Sequence, residues 1–259
     1  MPNINNPDIM RQQYNDSSKL DIRIALHQRY STNQQPFGDW IMEHYHIQPG
    51  MRVLELGCGT GNMWREAAKW LPKDASLILT DFSAGMVATA MGNVPALPNI
   101  SFQQVDIQQI PFEDNSFDLV IANMMLYHVP DLHKGLSEVA RVLRPEGRFI
   151  CATVGAGGVF WWLENTLGIE EGKEYPFSLQ NGADILRPHF AQVEMDQRED
   201  GLRVTNVEDL VDYVLSMASF SGLKEWPREV LRDKLLATAV DGVITIPKEY
   251  GLFIAREPR

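Results

Sequence analysis

The stretch Val53-Leu54-Glu55-Leu56-Gly57-Cys58-Gly59-Thr60-Gly61 constrains this chain more than any other. An apolar run short enough for one buried strand enters a turn with glycine at every second position, and a helical pattern follows. Glycine accepts positive φ and lets another group approach the backbone closely. A tight turn needs glycine for its own geometry, but three alternating glycines exceed that need. A strand, a glycine-rich turn and a helix in that order fit an open α/β sheet, in which ligands bind beyond the carboxyl ends of the strands. The helix start behind the loop adds unpaired N–H groups that favour a carboxylate or phosphate.

The rest of the chain repeats this rhythm. Strand-like runs recur at Ser76–Thr80, Phe102–Val105, Phe117–Ala122 and Phe149–Val154. Between them, Met86, Val87, Ala90 and Met91 keep a helical period, as do Leu132, Leu136, Val139, Ala140 and Leu143, with Arg144-Pro145-Glu146-Gly147 stopping the second helix. Strands alternating with helices imply right-handed crossovers and a doubly wound sheet with helices on both faces. Before it, residues 1–50 read as polar helices, one around Leu20–Tyr30 and one opening at Pro36. After it, residues 155–190 carry Phe160-Trp161-Trp162 and read as a cap insertion over the carboxyl edge. Residues 191–259 supply a strand near Gln192–Met195, a helix capped by a Thr205/Glu208 capping box, a helix over 227–240 and two short strand candidates at 243–246 and 252–255. The division is therefore a single domain over 1–259: a helical lid (1–50), a core (51–154), a cap (155–190) and completing elements (191–259).

Composition narrows the partners. Lys and Arg number 23 against 34 Asp and Glu, a net charge of −11, and no dense basic cluster occurs, so a phosphate backbone is a poor partner. Two cysteines, Cys58 and Cys151, do not make a disulfide framework. The amino terminus lacks the charged head and apolar core of a signal peptide, and no run reaches the ~18 apolar residues of a membrane span. A cytoplasmic protein without membrane attachment is expected. His44 and His46 beside Glu43 hint at a metal, but no further spaced ligands accompany them, and no metal is assigned.

Two kinds of nucleotide ligand compete for the loop. A dinucleotide fingerprint, G-x-G-x-x-G, requires glycine where this chain has Asn62. The GxGxG spacing, with Glu55 two positions ahead, instead resembles the first motif of the class I S-adenosylmethionine-dependent methyltransferases, of the type 11-like kind. Asp81-Phe82-Ser83 at the end of the second strand, Val105-Asp106-Ile107, Phe117 to Asn123, and Glu138 to Arg148 resemble the later motifs in the same order. The resemblance covers about residues 50–154.

What it implies is a Rossmann-like, seven-stranded, mostly parallel sheet whose last strand runs antiparallel between strands five and six. It also implies S-adenosylmethionine as cofactor and methyl transfer by in-line displacement to a small-molecule acceptor. The cofactor would lie along Glu55, Gly57, Cys58, Gly59 and Gly61. Asp81 would accept the ribose hydroxyls, flanked by Phe82 and Met86. Asp106 and Ile107 would meet the adenine, and Asn123 the methionyl part. Tyr14 and Arg23 stand in sequence where relatives fold a lid over the cofactor. His128, with an imidazole near neutral pKa, is the candidate base, and Tyr127 a candidate substrate contact. Asn123 leads into Met124-Met125-Leu126, not the Pro-Pro-aromatic run that grips planar amines, and Cys151 lies inside a strand rather than in a nucleophile's setting. Both favour a small acceptor. Methyl transfer to protein or tRNA, nucleotide binding without turnover, and dinucleotide oxidoreduction are the alternatives.

Overall fold

The computed structural model describes residues 18–169, 175–217 and 221–259. Tyr14 lies outside these residues. Seven strands form one sheet: β1 (Arg52–Leu56), β2 (Ser76–Asp81), β3 (Ile100–Gln104), β4 (Phe117–Ile121), β5 (Leu143–Val154), β6 (Phe190–Val204) and β7 (Ile244–Pro258). Their order is β3-β2-β1-β4-β5-β7-β6, and β7 pairs antiparallel with both neighbours. This is the doubly wound sheet with the reversed last strand that the motif order implies.

Alternation along each strand divides the apolar side chains between two faces. Val53, Leu119, Ile121, Ile150, Ala152 and Leu252 point to one core; Leu54, Val120, Ala122, Phe149, Cys151 and Phe253 point to the other. Burial on both faces is why the central strands read as nearly unbroken apolar runs. The helices are α1 (Ser18–Tyr30), α2 (Phe37–Glu43), α3 (Trp64–Ala67), α4 (Ala84–Asn93), α5 (Leu132–Val142), α6 (Val159–Leu167), α7 (Gly182–Leu186), α8 (Val207–Ser216) and α9 (Arg228–Leu236). Helix α5 starts cleanly because the Asp131 carboxylate accepts the Lys134 N–H at 3.0 Å.

Several local expectations are corrected. Arg144–Gly147 does not separate helix from strand: Phe117 pairs with Leu143 and Leu119 with Arg148, so these four residues bulge opposite Asp118 inside β5. The two terminal strand candidates are a single strand, and β6 runs 15 residues to match it. Helix α8 is capped by Asn206, whose side chain accepts the Glu208 N–H at 3.1 Å, rather than by Thr205. The helix after the glycine loop is one turn, α3, continued as 3-10 helix through Trp70.

Strands β6 and β7 stay paired from Gln192/Arg256 to Val204/Ile244, whereas β5 ends at Val154 opposite Tyr250. The pair therefore projects past the carboxyl edge of the sheet. On this projection sits a further apolar core, in which Leu202, Val204, Ile244 and Ile246 meet Leu26 of α1, Leu163 of α6, Leu210 of α8 and Leu231 of α9. Residues 155–190 divide between cores: Val159, Leu163 and Leu167 join this one, and Phe177, Leu179 and Leu186 the main one. Among the described residues, no helix is long and apolar enough to cross a membrane.

An ion pair fixes the chain after α1 to the projection. The Lys248 ammonium and the Asp200 carboxylate meet with only 1% of either side chain exposed. Lys248 also donates to Ser31 Oγ at 2.7 Å, and Asp200 accepts the Asn33 and Gly201 N–H groups at 3.1 and 2.7 Å. Removing one partner leaves the other charge buried without compensation. Asp200→Ala should therefore lower stability by about 3–5 kcal/mol in urea denaturation; a loss below ~1 kcal/mol would show that water already solvates the pair.

Candidate active site

All three loop glycines have left-handed backbones, with φ of +74° at Gly57, +57° at Gly59 and +69° at Gly61. Their surroundings differ. A Cβ on Gly57 would stand 2.8 Å from Met125 Cγ, and one on Gly61 would stand 2.7 Å from Val94 Cγ2. A Cβ on Gly59 would meet nothing within 4 Å. Gly57 and Gly61 are thus dictated by packing as well as φ, while Gly59 presents bare backbone to open space, a cradle that any side chain would fill.

Asp81, at the end of β2, holds this cradle. One carboxylate oxygen accepts the Gly59 N–H at 2.9 Å and the other accepts the Ser83 N–H at 2.8 Å. Burial pushes the Asp81 carboxyl up, and those two N–H groups offset part of that shift. The loop is further tied by Cys58 N–H to Thr80 O at 2.8 Å and by Gly61 N–H to Cys58 O at 3.0 Å. Because α3 is so short and its first N–H groups close turns onto Gly61 and Asn62, the helix-end field invoked from the sequence is small here.

Glu55 points beneath the loop. It is 2% exposed, with its carboxylate accepting the Trp64 indole N–H at 2.5 Å and facing the Asn123 amide at 3.5 Å. The same Asn123 amide nitrogen donates to Tyr45 Oη at 2.6 Å, and the Tyr45 and Trp64 rings stack with centroids 6.0 Å apart. Asn123 Oδ1 is buried with no donor among the described residues. Tyr45 and Trp64 were not singled out from the sequence, since neither lies in a motif and only the fold brings them to Glu55. Burial raises the Glu55 carboxyl to about 7, although Trp64 and Asn123 pull the other way.

The turn after β4 reaches this site through one contact. Met124 takes φ of +55°, which turns the chain so that Met125 covers Gly57. The 3-10 turn Leu126–His128 follows, with Tyr127 and His128 half-buried and their rings edge to face at 4.5 Å. Met86 is buried in the first turn of α4, its N–H 3.4 Å from the capping Ser83 Oγ, and the half-buried Phe82 carbonyl accepts from Gln104. Asp106, two residues beyond β3, lies in a local turn where its carboxylate accepts the Gln108 N–H at 2.9 Å and the Gln108 side-chain amide at 3.1 Å. Ile107 lies in the main core against Gly135.

Other candidates sit elsewhere. Arg23, on α1, lies within electrostatic range of His27 and Tyr213. The His44 ring is committed to Trp40 O and to Asp196, each at 2.9 Å. Cys58 and Cys151 are both free thiols that burial pushes far above the usual range, so neither is poised as a thiolate.

Residues 54–151 match the methyltransferase domain family. Over 109 residues the chain is 37% identical to a demethylmenaquinone methyltransferase of Symbiobacterium thermophilum, covering 41% of this chain and 43% of that protein. It is 32% identical over 145 residues to a sterol 24-C-methyltransferase of Gibberella zeae, covering 56% of this chain and 33% of that one. The chain thus spans less than half of either relative. Among solved structures, it superimposes on Haemonchus contortus phosphoethanolamine N-methyltransferase 2 in complex with S-adenosyl-L-methionine, with a TM-score of 0.61 and 19% identity over 97% of this chain and 59% of that one. Residues 54–151 thus match a methyltransferase domain, and the chain shares the fold of the superimposed structure.

The Glu55 environment makes a pH prediction. Its folded pKa, about 7, stands above the ordinary carboxyl value of 4.5, so its contribution to stability is complete below ~4.5 and is lost as pH rises through ~7. Glu55→Gln, uncharged at every pH, should flatten that slope. Urea stability of the natural protein should fall relative to the variant by roughly 3 kcal/mol between acid and pH 8. Parallel pH profiles would mean that the carboxylate is solvated.

Proposed function

We propose that this protein is an enzyme that transfers a methyl group from S-adenosylmethionine to a small-molecule acceptor. The observation that carries the proposal is the open cradle at Gly59, framed by Asp81 and set beside the turn that bears Tyr127 and His128. The residues present suit the cofactor. Backbone at Gly57, Cys58, Gly59 and Gly61 would lie along its amino-acid tail. The Asp81 carboxylate retains lone pairs for two ribose hydroxyls while holding the Gly59 and Ser83 N–H groups. Asp106 and Ile107, with Phe82 and Met86, would border the adenine, and the orphaned Asn123 Oδ1 offers an acceptor for a donor on the tail. Glu55 acts at one remove, fixing Trp64 behind the loop. Arg23 is proposed for the lid that folds over the cofactor, to pair with the methionyl carboxylate or with a substrate anion, and Tyr14 is proposed for the same lid on its place in the sequence alone.

When bound, the cofactor supplies an electrophilic methyl carbon on a sulfonium. The protein's share is to position the acceptor, exclude water and manage one proton. Holding nucleophile and methyl in line contributes several kcal/mol as effective molarity. The second apolar core stands past the carboxyl edge, on the side of the sheet where the cofactor would bind. His128 would take the proton released by a hydroxyl or ammonium acceptor, and Tyr127 would orient that acceptor. Both nearer relatives are named for acceptors of low molecular mass, a quinone precursor and a sterol, which supports the substrate class.

Calorimetric titration with S-adenosylmethionine and S-adenosylhomocysteine tests the first half. Asp81→Ala should weaken both by ~1–3 kcal/mol through loss of charge-assisted bonds; unchanged affinity would remove Asp81 from the site. Transfer of labelled methyl to a metabolite panel tests the second half. With an acceptor found, His128→Ala should lower turnover about 10²–10⁴-fold while cofactor affinity holds, and full activity across pH would leave His128 a packing residue.

A further inference from the structure

A polar cluster the proposed chemistry leaves unused lies between the second core and the carboxyl edge of the sheet. His27 of α1 faces two phenols: its Nε2 is 3.4 Å from Tyr213 Oη of α8 and 3.2 Å from Tyr250 Oη of β7. The rings close around one another, with His27 centroids 5.5 Å from Tyr213 and 5.8 Å from Tyr250. Tyr250 is placed by its pairing with Val154, the last residue of β5. It lies within electrostatic range of Tyr127, Tyr175 and Tyr213, so the cluster adjoins the turn that carries the candidate base.

Its hydrogen bonding does not close on itself. His27 Nδ1 is buried with no partner among the described residues. Nε2 has one site in the ring plane: it accepts from one phenol or donates to one. At least one phenolic proton is then directed outside the trio, and so is the capacity of Nδ1. Unfilled capacity in an enclosed place costs free energy unless a polar partner arrives.

Charge selects that partner. Burial, then the nearby Lys248, pushes His27 down to about 3; Asp200 opposes this and Arg23 reinforces it. The imidazole is therefore neutral in the working range, a hydrogen-bonding group and not a proton acceptor of useful strength. Burial pushes the Tyr213 phenol up to about 12 and the Tyr250 phenol well above its ordinary value, so both stay donors. Arg23 brings a cationic group within electrostatic range of His27 and Tyr213 in a chain of net charge −11. The flank is aromatic: Phe37 lies 5.1 Å from Tyr250.

Resting on the methyltransferase reading above, we infer that His27, Tyr213, Tyr250 and Arg23 form the polar end of the acceptor pocket, and that the acceptor carries an anionic oxygen group, a carboxylate or a phosphate, which they anchor. No group in the cluster is transferred or consumed; its work is to fix the far end of the acceptor so that the near end faces the methyl carbon. These are positioning and specificity residues.

The test uses the full chain loaded with S-adenosylhomocysteine and three probes: benzoate, phenyl phosphate and the neutral benzyl alcohol. Imidazole resonances of His27, followed by NMR, report the site directly. Benzoate or phenyl phosphate should shift them saturably, benzyl alcohol should not, and whichever anion binds tighter names the headgroup. Tyr250→Phe and Tyr213→Phe, which keep shape, should each weaken that anion about 10- to 100-fold while leaving S-adenosylhomocysteine affinity unchanged. Equal binding of benzyl alcohol, or anion affinity indifferent to both substitutions in protein that still binds S-adenosylhomocysteine, would overturn the anchor and spare the methyltransferase. Failure of the natural protein to bind S-adenosylhomocysteine would overturn the underlying reading, and the acceptor role with it.

Discussion

The left-handed turn at Gly57–Gly61 is the constraint on which the site depends. Three residues in a conformation that costs other side chains roughly 1–2 kcal/mol each reverse the chain as it leaves β1. The reversal is locked from two directions. Met125 fills the space a Gly57 side chain would need, and Val94 with Ala90 does the same at Gly61. Asp81 then fastens the middle of the turn through the Gly59 N–H. Strands β1, β2 and β4 thus each contribute a piece at their carboxyl ends, and the parallel pairing of β1 with both neighbours keeps those pieces in register.

Beneath the turn is a polar knot in which Glu55, Trp64, Asn123 and Tyr45 satisfy one another except at Asn123 Oδ1. Such a knot has a high cost if half made, and that gives it a geometry-fixing role. Above the turn, the overlong β6–β7 pair carries the helices of the second core and brings α1 from one end of the chain against α8 and α9 from the other. The glycine turn and the His27 cluster therefore lie against different cores, joined along the carboxyl edge.

Much of this was legible in the residues. The strand–glycine–helix order and the alternation to Val154 follow from local patterns, because burial on two faces leaves period and turn chemistry in the sequence itself, whereas the reversed final strand was implied only by the resemblance of the motif series. The place of Asp81 at the end of β2 can be read from the sequence, whereas its hold on the Gly59 N–H cannot. Tyr45, Trp64, His27, Tyr213 and Tyr250 left no such trace. Their partners lie far away in sequence, 186 residues between His27 and Tyr213 and 223 between His27 and Tyr250, and a lone tyrosine on a helix reads the same whether it packs or binds. The Arg144–Gly147 bulge was misread because Pro and Gly mark a turn and a bulge alike.

The sequence alone determined the sheet type and the loop, since each rests on short-range rules: alternation, glycine conformation and helical period. It also determined the charge of −11, which depends on no fold. Only the tertiary structure decided that Gly59, unlike Gly57 and Gly61, faces open space, that Glu55 turns inward to Trp64, and that α1 meets α8 and β7 around His27. The reason is that burial and partner choice are collective: a carboxylate or an imidazole has no fixed protonation or role until the surrounding chain has excluded water from it and supplied, or withheld, a hydrogen-bond partner.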